Sequence, residues 1–321
     1  MGECEGCLYT ELRILVTGSE GFVGRHATRY LSERGHEVLR VDLKSPTFKG
    51  DILEKEFVFG ELASLRFEAV VHLAAIADIR RSIEDSYKCY EVNCVGTLNM
   101  LELAARKGVD RFVYMSSANV YGIPSALPVE EDQPLNPRAP YDYSKVVGEL
   151  FTKSFKEHRG VPAVRLRSWK IIGEGDVSTS AVMRFITSCL QGKPIPLYNA
   201  GRDTTDFYAV EDFCRALELT LISERAVGQV FNVGTGREVS VRQLAETIKA
   251  ITSSKSVLED LAQRTPLEGV PMRSYPSIRR IREALGYTPE VGLEEALARI
   301  VNKVREGELP PDPTASTGIL S

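Results

Sequence analysis

Tyr141 and Lys145 stand four residues apart in Pro140-Tyr141-Asp142-Tyr143-Ser144-Lys145, where a helical pattern begins. That spacing puts a phenol and an ammonium on one helix face, one turn from each other. A free tyrosine, with a pKa near ~10, is a poor base at neutral pH. One cation about 5 Å away, at an effective dielectric of about 20, favours the phenolate by roughly 3 kcal/mol. The spacing therefore predicts a phenol drawn close to neutrality by its lysine; Tyr143 lacks that geometry. Ser117 closes the apolar run Arg111-Phe112-Val113-Tyr114-Met115-Ser116-Ser117. Its hydroxyl can hydrogen-bond a reacting alcohol or ketone oxygen and pass on its proton. The three residues suit interconversion of an alcohol and a ketone.

Such chemistry needs a hydride carrier, and the chain opens with a place for one. Arg13-Ile14-Leu15-Val16-Thr17 reads as a buried parallel strand. Gly18, Gly21 and Gly24 follow at three-residue spacing, with Phe22 and Val23 between them, and a helical pattern continues through Leu31. A helix opening straight from a strand leaves backbone N–H groups aimed at a phosphate. The first glycine permits the turn, the second admits a pyrophosphate, and the third lets helix and strand pack closely. Asp42 ends the next strand at the offset where a carboxylate accepts from adenosine ribose hydroxyls. It would repel a 2′-phosphate and favour NAD over NADP, with Arg40 and Lys44 beside it to soften the choice. Asp51 and Ile52 follow the third strand near an adenine edge. Leu73, Ala74 and Ala75 end another apolar strand with small residues that let backbone approach the cofactor. His72, within that strand, reads as a satisfied core histidine. An oxidised nicotinamide would add positive charge beside Tyr141.

Strands and helices alternate with short turns through Leu166, the pattern of a doubly wound parallel sheet. Ser82 to Lys107 reads as one long helix and Tyr141 to His158 as another. The expected organisation is an NAD-binding α/β domain over residues 10–168, with 206–234 returning to it. A smaller substrate-binding α/β region would span 169–308, and a loose tail 309–321. Function should gather at the carboxyl ends of the strands.

Composition excludes several classes. A net charge near −4 with mixed signs gives no footprint for nucleic acid. No apolar run approaches the ~18 residues of a membrane span. Met1 to Thr10 lacks a basic segment followed by an apolar core, so a cytoplasmic enzyme is expected. Cys4 and Cys7 form one C-x-x-C with no second pair to complete a metal knuckle, and reduced thiols are expected.

Taken in order, Gly18-x-x-Gly21-Phe22-Val23-Gly24, Asp42, His72-Leu73-Ala74-Ala75, Asn93 with Gly96-Thr97, Ser117 with Val120-Tyr121-Gly122, and Tyr141-x-x-x-Lys145 carry a resemblance. The chain resembles the extended short-chain dehydrogenase/reductase superfamily, in its nucleotide-sugar epimerase/dehydratase branch. The likeness continues through Asp206-Phe207 and Leu285-Gly286-Tyr287-Thr288-Pro289. It implies a Rossmann sheet, bound NAD, Tyr141 as base, Lys145 also on the nicotinamide ribose, and Ser117 assisting. It adds Asn93, Ser116 and Trp169 to the cofactor side. On the substrate side it implies Ser117, Asn119, Lys170, Tyr198, Arg202 and Arg264. It also implies a homodimer through the two long helices, where Val92, Val95, Leu103, Val147, Leu150 and Phe151 suit either such an interface or packing on the sheet. Dehydratases of the branch carry an acidic pair after the catalytic hydroxyl residue and decarboxylases a nearby Glu, where this chain has Ala118-Asn119. A UDP-sugar 4-epimerase is the expected activity. A dehydrogenase releasing NADH and a non-catalytic NAD-binding protein are the alternatives. Lys170 stands where the branch has Asn, and Thr205 where it has Arg, at positions that hold a substrate diphosphate.

Overall fold

Every residue from Ile14 to Thr17 is buried in β1 (Arg13–Thr17). The computed structural model describes residues 11–176, 180–262 and 272–307. Cys4, Cys7, Arg264 and the tail 309–321 lie outside the described residues. β1 is flanked on both sides by parallel strands, β2 (Glu37–Asp42) and β4 (Ala69–His72). With β3 (Phe48–Lys49), β5 (Arg111–Ser117), β6 (Ala163–Ser168) and β11 (Val230–Val233), they form a seven-stranded parallel sheet. Its order, β11-β6-β5-β4-β1-β2-β3, reverses direction between β1 and β4. Ligands of open sheets bind outside the carboxyl ends at such a reversal.

Alternate residues of β1 feed two cores. Ile14 and Val16 join one apolar cluster, and Leu15 joins another on the opposite face. α1 (Phe22–Glu33) and α7 (Val210–Ile222) cover the first face. α4 (Thr97–Lys107) and α5 (Pro140–Arg159) cover the second. A third apolar cluster stands apart from the sheet. There Phe185 of α6 (Ala181–Gln191), Leu197 of β8 (Ile195–Tyr198), Leu244 of α8 (Val241–Thr252) and Leu297 of α10 (Leu293–Arg305) pack together.

Two expectations are corrected in detail. The long helix expected over Ser82 to Lys107 is four pieces. They are α2 (Ile79–Glu84), α3 (Ser86–Tyr90), a π turn (Glu91–Gly96) and α4. Asp85 breaks the pattern with φ −134° and ψ 78°, and its carboxylate accepts from the Lys88 N–H to start a new helix. Of segment 206–234, β11 enters the main sheet. β10 (Phe207–Ala209) instead pairs with β7 (Lys170–Ile172) in a separate two-stranded sheet. Among the described residues no helix is long and apolar enough to cross a membrane, and no cluster of His, Cys, Asp or Glu could hold a metal.

Candidate active site

The loop after β1 is as tight as its glycines suggested. Gly18 has φ +71°, and a Cβ there would stand 2.7 Å from the Ala74 nitrogen. A Cβ on Gly24 would stand 2.0 Å from the Gly18 carbonyl oxygen. Gly21 caps α1 without a side-chain hydrogen bond, so the Phe22 and Val23 N–H groups open toward a ligand. The Asp42 carboxylate accepts from the Glu20 N–H at 3.2 Å and the Lys44 N–H at 3.0 Å, which places it against the same loop. Arg40 is paired with Glu20 at 2.7 Å, so its charge is already met inside the protein. A backbone cradle that a methyl group would fill, ahead of an uncapped helix start with a carboxylate beside it, fits a dinucleotide.

His72 is the satisfied core histidine that its strand position suggested. Thr97 donates its proton to the Asn93 carbonyl at 2.6 Å, so its oxygen must accept from His72 Nε2 at 3.0 Å. Nδ1 then accepts from the Thr17 hydroxyl at 2.8 Å. The ring is neutral, and burial pushes its pKa down to about 3, with Lys145 adding to the effect.

Tyr141 is held from three sides. Its N–H donates to Ser82 Oγ at 3.2 Å, and its carbonyl accepts from Ser144 Oγ at 2.7 Å. Asn93, carried on the π turn, donates to Ser144 Oγ at 2.9 Å. In the first turn of α5, Asp142 accepts from the Arg138 and Ala139 N–H groups, which lie just before the helix, and fixes the entry of the chain. Lys145 Nζ donates to the Met115 carbonyl at 2.8 Å and lies 5.8 Å from the centre of the Tyr141 ring. Ser117, at the carboxyl end of β5, accepts from the Asn119 N–H at 3.2 Å. Its register partner in β6 is Ser168, so Trp169 and Lys170 emerge beside it.

The electrostatics correct the sequence argument. Burial pushes Tyr141 up to about 12, against a hydrogen bond with Ser117 that lowers it, while Asp142 and Cys89 raise it further. Burial also pushes Lys145 down to about 8, against the opposing influence of Cys89, Cys94 and Glu149. Desolvation outweighs the attraction of one cation, because phenolate and ammonium both leave water. Lys145 therefore does not by itself bring the phenol near neutrality.

Other expected residues divide clearly. Ile52 is core, and its side chain fills the space over Gly96. Asn93 is buried, with its amide engaged by Ile76 and Ser144. The Ser116 hydroxyl donates to Glu149, and Trp169 Nε1 donates to Ser274 at 3.1 Å while its ring lies beside Tyr121. These four turn their side chains into the protein, so their part near a cofactor is to position backbone. Asp51 accepts from the Leu53 N–H in the turn after β3. Lys170 is exposed and Asn119 half-buried. Tyr198 ends β8, and Arg202 is exposed and tied to Asn199. The sequence reading missed Ser82, Ser144, Glu149 and Arg167. Only Glu149 gave a signal, lying one turn beyond Lys145 on the same face.

Comparison with known proteins follows this geometry. The model of the NAD-dependent epimerase/dehydratase family matches residues 14–234. The chain belongs to that family. Its cofactor is NAD. It is 32% identical over 316 residues to the UDP-glucose 4-epimerase of Mycolicibacterium smegmatis, covering 92% of this chain and 99% of that one. It is 29% identical over 329 residues to the dTDP-glucose 4,6-dehydratase of Streptomyces niveus, covering 95% and 96%. The structure of a Thermus thermophilus UDP-glucose 4-epimerase in complex with NAD superposes with a TM-score of 0.82 at 30% identity, covering 91% and 99%. Family relatives thus include epimerases and dehydratases alike.

Proposed function

We propose that this protein is an NAD-dependent epimerase that inverts C4 of a nucleotide-activated sugar, with UDP-sugars as the leading class, through a 4-keto sugar. The observation that carries this reading is that Ala118 and Asn119 follow Ser117. Eliminating water from a sugar requires a general acid and a general base beside it, and this position offers no carboxyl group. Interconverting an alcohol and a ketone requires a base, a hydroxyl and a cation, which Tyr141, Ser117 and Lys145 supply. NAD supplies reversible acceptance of hydride, and the Gly18–Gly24 loop and Asp42 are the residues that would hold it. Tyr141 takes the proton of the sugar hydroxyl while Ser117 hydrogen-bonds the same oxygen. The Lys145 ammonium favours the phenolate. The ketone then presents its other face, and Tyr141 returns the proton to the new alcohol. Incubation with a panel of UDP-, GDP- and dTDP-sugars, followed by separation of epimers, tests the reading. An epimer formed without net NADH supports it, whereas NADH accumulating in step with substrate loss replaces it with a dehydrogenase.

A homodimer accompanies this reading. Ile83, Tyr87 and Val95, together with Tyr143 and Leu150 of α5, are 46–79% exposed on neighbouring helices. An apolar set of that kind marks an interaction surface. Of the residues that suited either a dimer face or the sheet, Leu103 is fully buried in the core on the sheet and Phe151 packs against the same cluster. Sedimentation at micromolar concentration should report twice the chain mass, and a monomer would reject the interface.

A further inference from the structure

Beneath the catalytic cluster, one carboxylate fastens three elements. Glu149 lies four residues beyond Lys145 on α5, and both it and Arg167 are nearly inaccessible. Glu149 Oε1 accepts from Ser116 Oγ at 2.5 Å and from Arg167 Nε at 2.9 Å. Its Oε2 accepts from Arg167 Nη2 at 2.7 Å. Ser116 and Arg167 are direct register partners across β5 and β6. The carboxylate therefore grips both strands at one level, one residue before Ser117. Arg167 is in turn fixed by the Tyr121 hydroxyl at 2.8 Å and the Glu131 carbonyl at 2.9 Å. Tyr121 donates onward to Asn232 of β11 at 2.7 Å.

Burying such a pair is a poor route to stability, since apolar residues of similar volume do as well or better. What it provides is a fixed height and rotation of α5 over the sheet. A slip of one residue along a helix displaces it by about 1.5 Å and turns it by about 100°. A misplacement of about 1 Å at a reacting centre can cost about 10²-fold in rate.

We propose that the Glu149–Arg167 pair is a positioning strut that sets where Tyr141 and Lys145 stand relative to Ser117. The proposal rests on reading Ser117, Tyr141 and Lys145 as the reaction centre. Glu149 also faces the Lys145 ammonium along the helix. The other groups around Lys145 are the Cys89 and Cys94 thiols from the α3 side and His72, Tyr114 and the Met115 carbonyl from the sheet.

The test uses the NAD-loaded protein with Glu149→Leu and Arg167→Met combined, which removes both charges at similar volume. The expected result is a melting temperature lowered only modestly, by the lost partners of the Ser116 hydroxyl and the Glu131 carbonyl, with a kcat lowered about 10²-fold and KM within about threefold. A kcat within threefold of the unaltered protein would overturn the proposal. Should the double variant fail to fold, Arg167→Lys keeps the charge and loses the fork. It should lower kcat at least tenfold, and an unaltered kcat would overturn the strut. A second readout needs no sugar substrate: the Lys145 ammonium titration followed by NMR in ¹³C-lysine-labelled protein, assigned with Lys145→Arg. In Glu149→Gln the titration should move to lower pH, and an unmoved titration counts against the strut. If no sugar turns over, the proposed function fails while this titration still decides the strut.

Discussion

The two sides of the site are built from different materials. On the cofactor side the contacts are backbone: Gly18 against Ala74, Gly24 against Gly18, and an uncapped helix start. On the substrate side the candidates are side-chain tips from separate segments. Lys170 leads β7, Tyr198 ends β8, and Arg202 follows a short helical turn. Backbone contacts tolerate no substituent, whereas side-chain tips can be exchanged without disturbing the sheet. Relatives within this NAD-dependent family accordingly include an epimerase named for UDP-glucose and a dehydratase named for dTDP-glucose.

The largest expected effect lies where the two sides meet. On the proposed reading Tyr141→Phe removes the phenolate base that takes the substrate proton and should lower kcat by about 10³-fold, with NAD still bound. The pH profile sharpens this assignment. Tyr141 is pushed up to about 12, so the active phenolate grows with pH, while Lys145, held near 8, begins to lose its charge there; the rate should therefore rise with pH up to about 8 and level off above it. A rate still climbing about tenfold per pH unit between about pH 8 and 10 would remove the Lys145 ammonium from the reaction.

A paired substitution tests the backbone claim next. Gly24→Ala places a Cβ 2.0 Å from a backbone oxygen, so β1 and α1 must separate. A strained overpacking of this kind costs about 1–3 kcal/mol or more, and NAD affinity should fall with the melting temperature. At Gly60 a Cβ meets nothing within 4 Å. Gly60→Ala should leave both measurements unchanged. Equal effects at the two positions would mean that the loop is not a close-packed cradle.

The contrast also explains what could be read in advance. The glycine triplet, Asp42 and the Tyr141–Lys145 spacing are local patterns, and the doubly wound parallel sheet follows from alternating strands and helices, though not the order of its strands. The break at Asp85 and the π turn that carries Asn93 depend on single backbone angles and carry no compositional mark. The Glu149–Arg167 bond requires knowing that β6 lies beside β5 in one register. The burial that lifts Tyr141 and lowers Lys145 arises from the packed helices around them, so the spacing argument had the attraction without the larger opposing cost.

A mid-sized effect comes from His72, which joins β1, β4 and α4 beneath the cradle. In the folded chain its pKa is about 3, whereas the unfolded ring takes a proton near ~6.5. Between those values the unfolded chain binds the additional proton, so stability falls as pH is lowered through that window. The full difference corresponds to roughly 5 kcal/mol. His72→Gln should flatten the dependence of melting temperature on pH between about 6.5 and 4. A slope equal to that of the unaltered protein would assign the acid sensitivity elsewhere.

The smallest effect is expected at Lys170, and it bears most directly on the comparison. Its ammonium is exposed, emerges beside Ser117 at the end of β6, and has no hydrogen-bond or ion-pair partner among the described residues. A solvated cation contributes about 1 kcal/mol or less to an ion pair. If it meets a substrate diphosphate, Lys170→Met should raise KM for the nucleotide sugar about fivefold, consistent with that magnitude, and leave kcat unchanged. The effect should weaken with added salt, because exposed charges are screened. Arg202 is the control: its guanidinium is already bound to Asn199, so Arg202→Met should move KM less. If Lys170→Met lowered kcat with KM unchanged, the residue would act on the reacting atoms instead. The division between a backbone-built cofactor side and an exchangeable substrate side would then fail at its most exposed point.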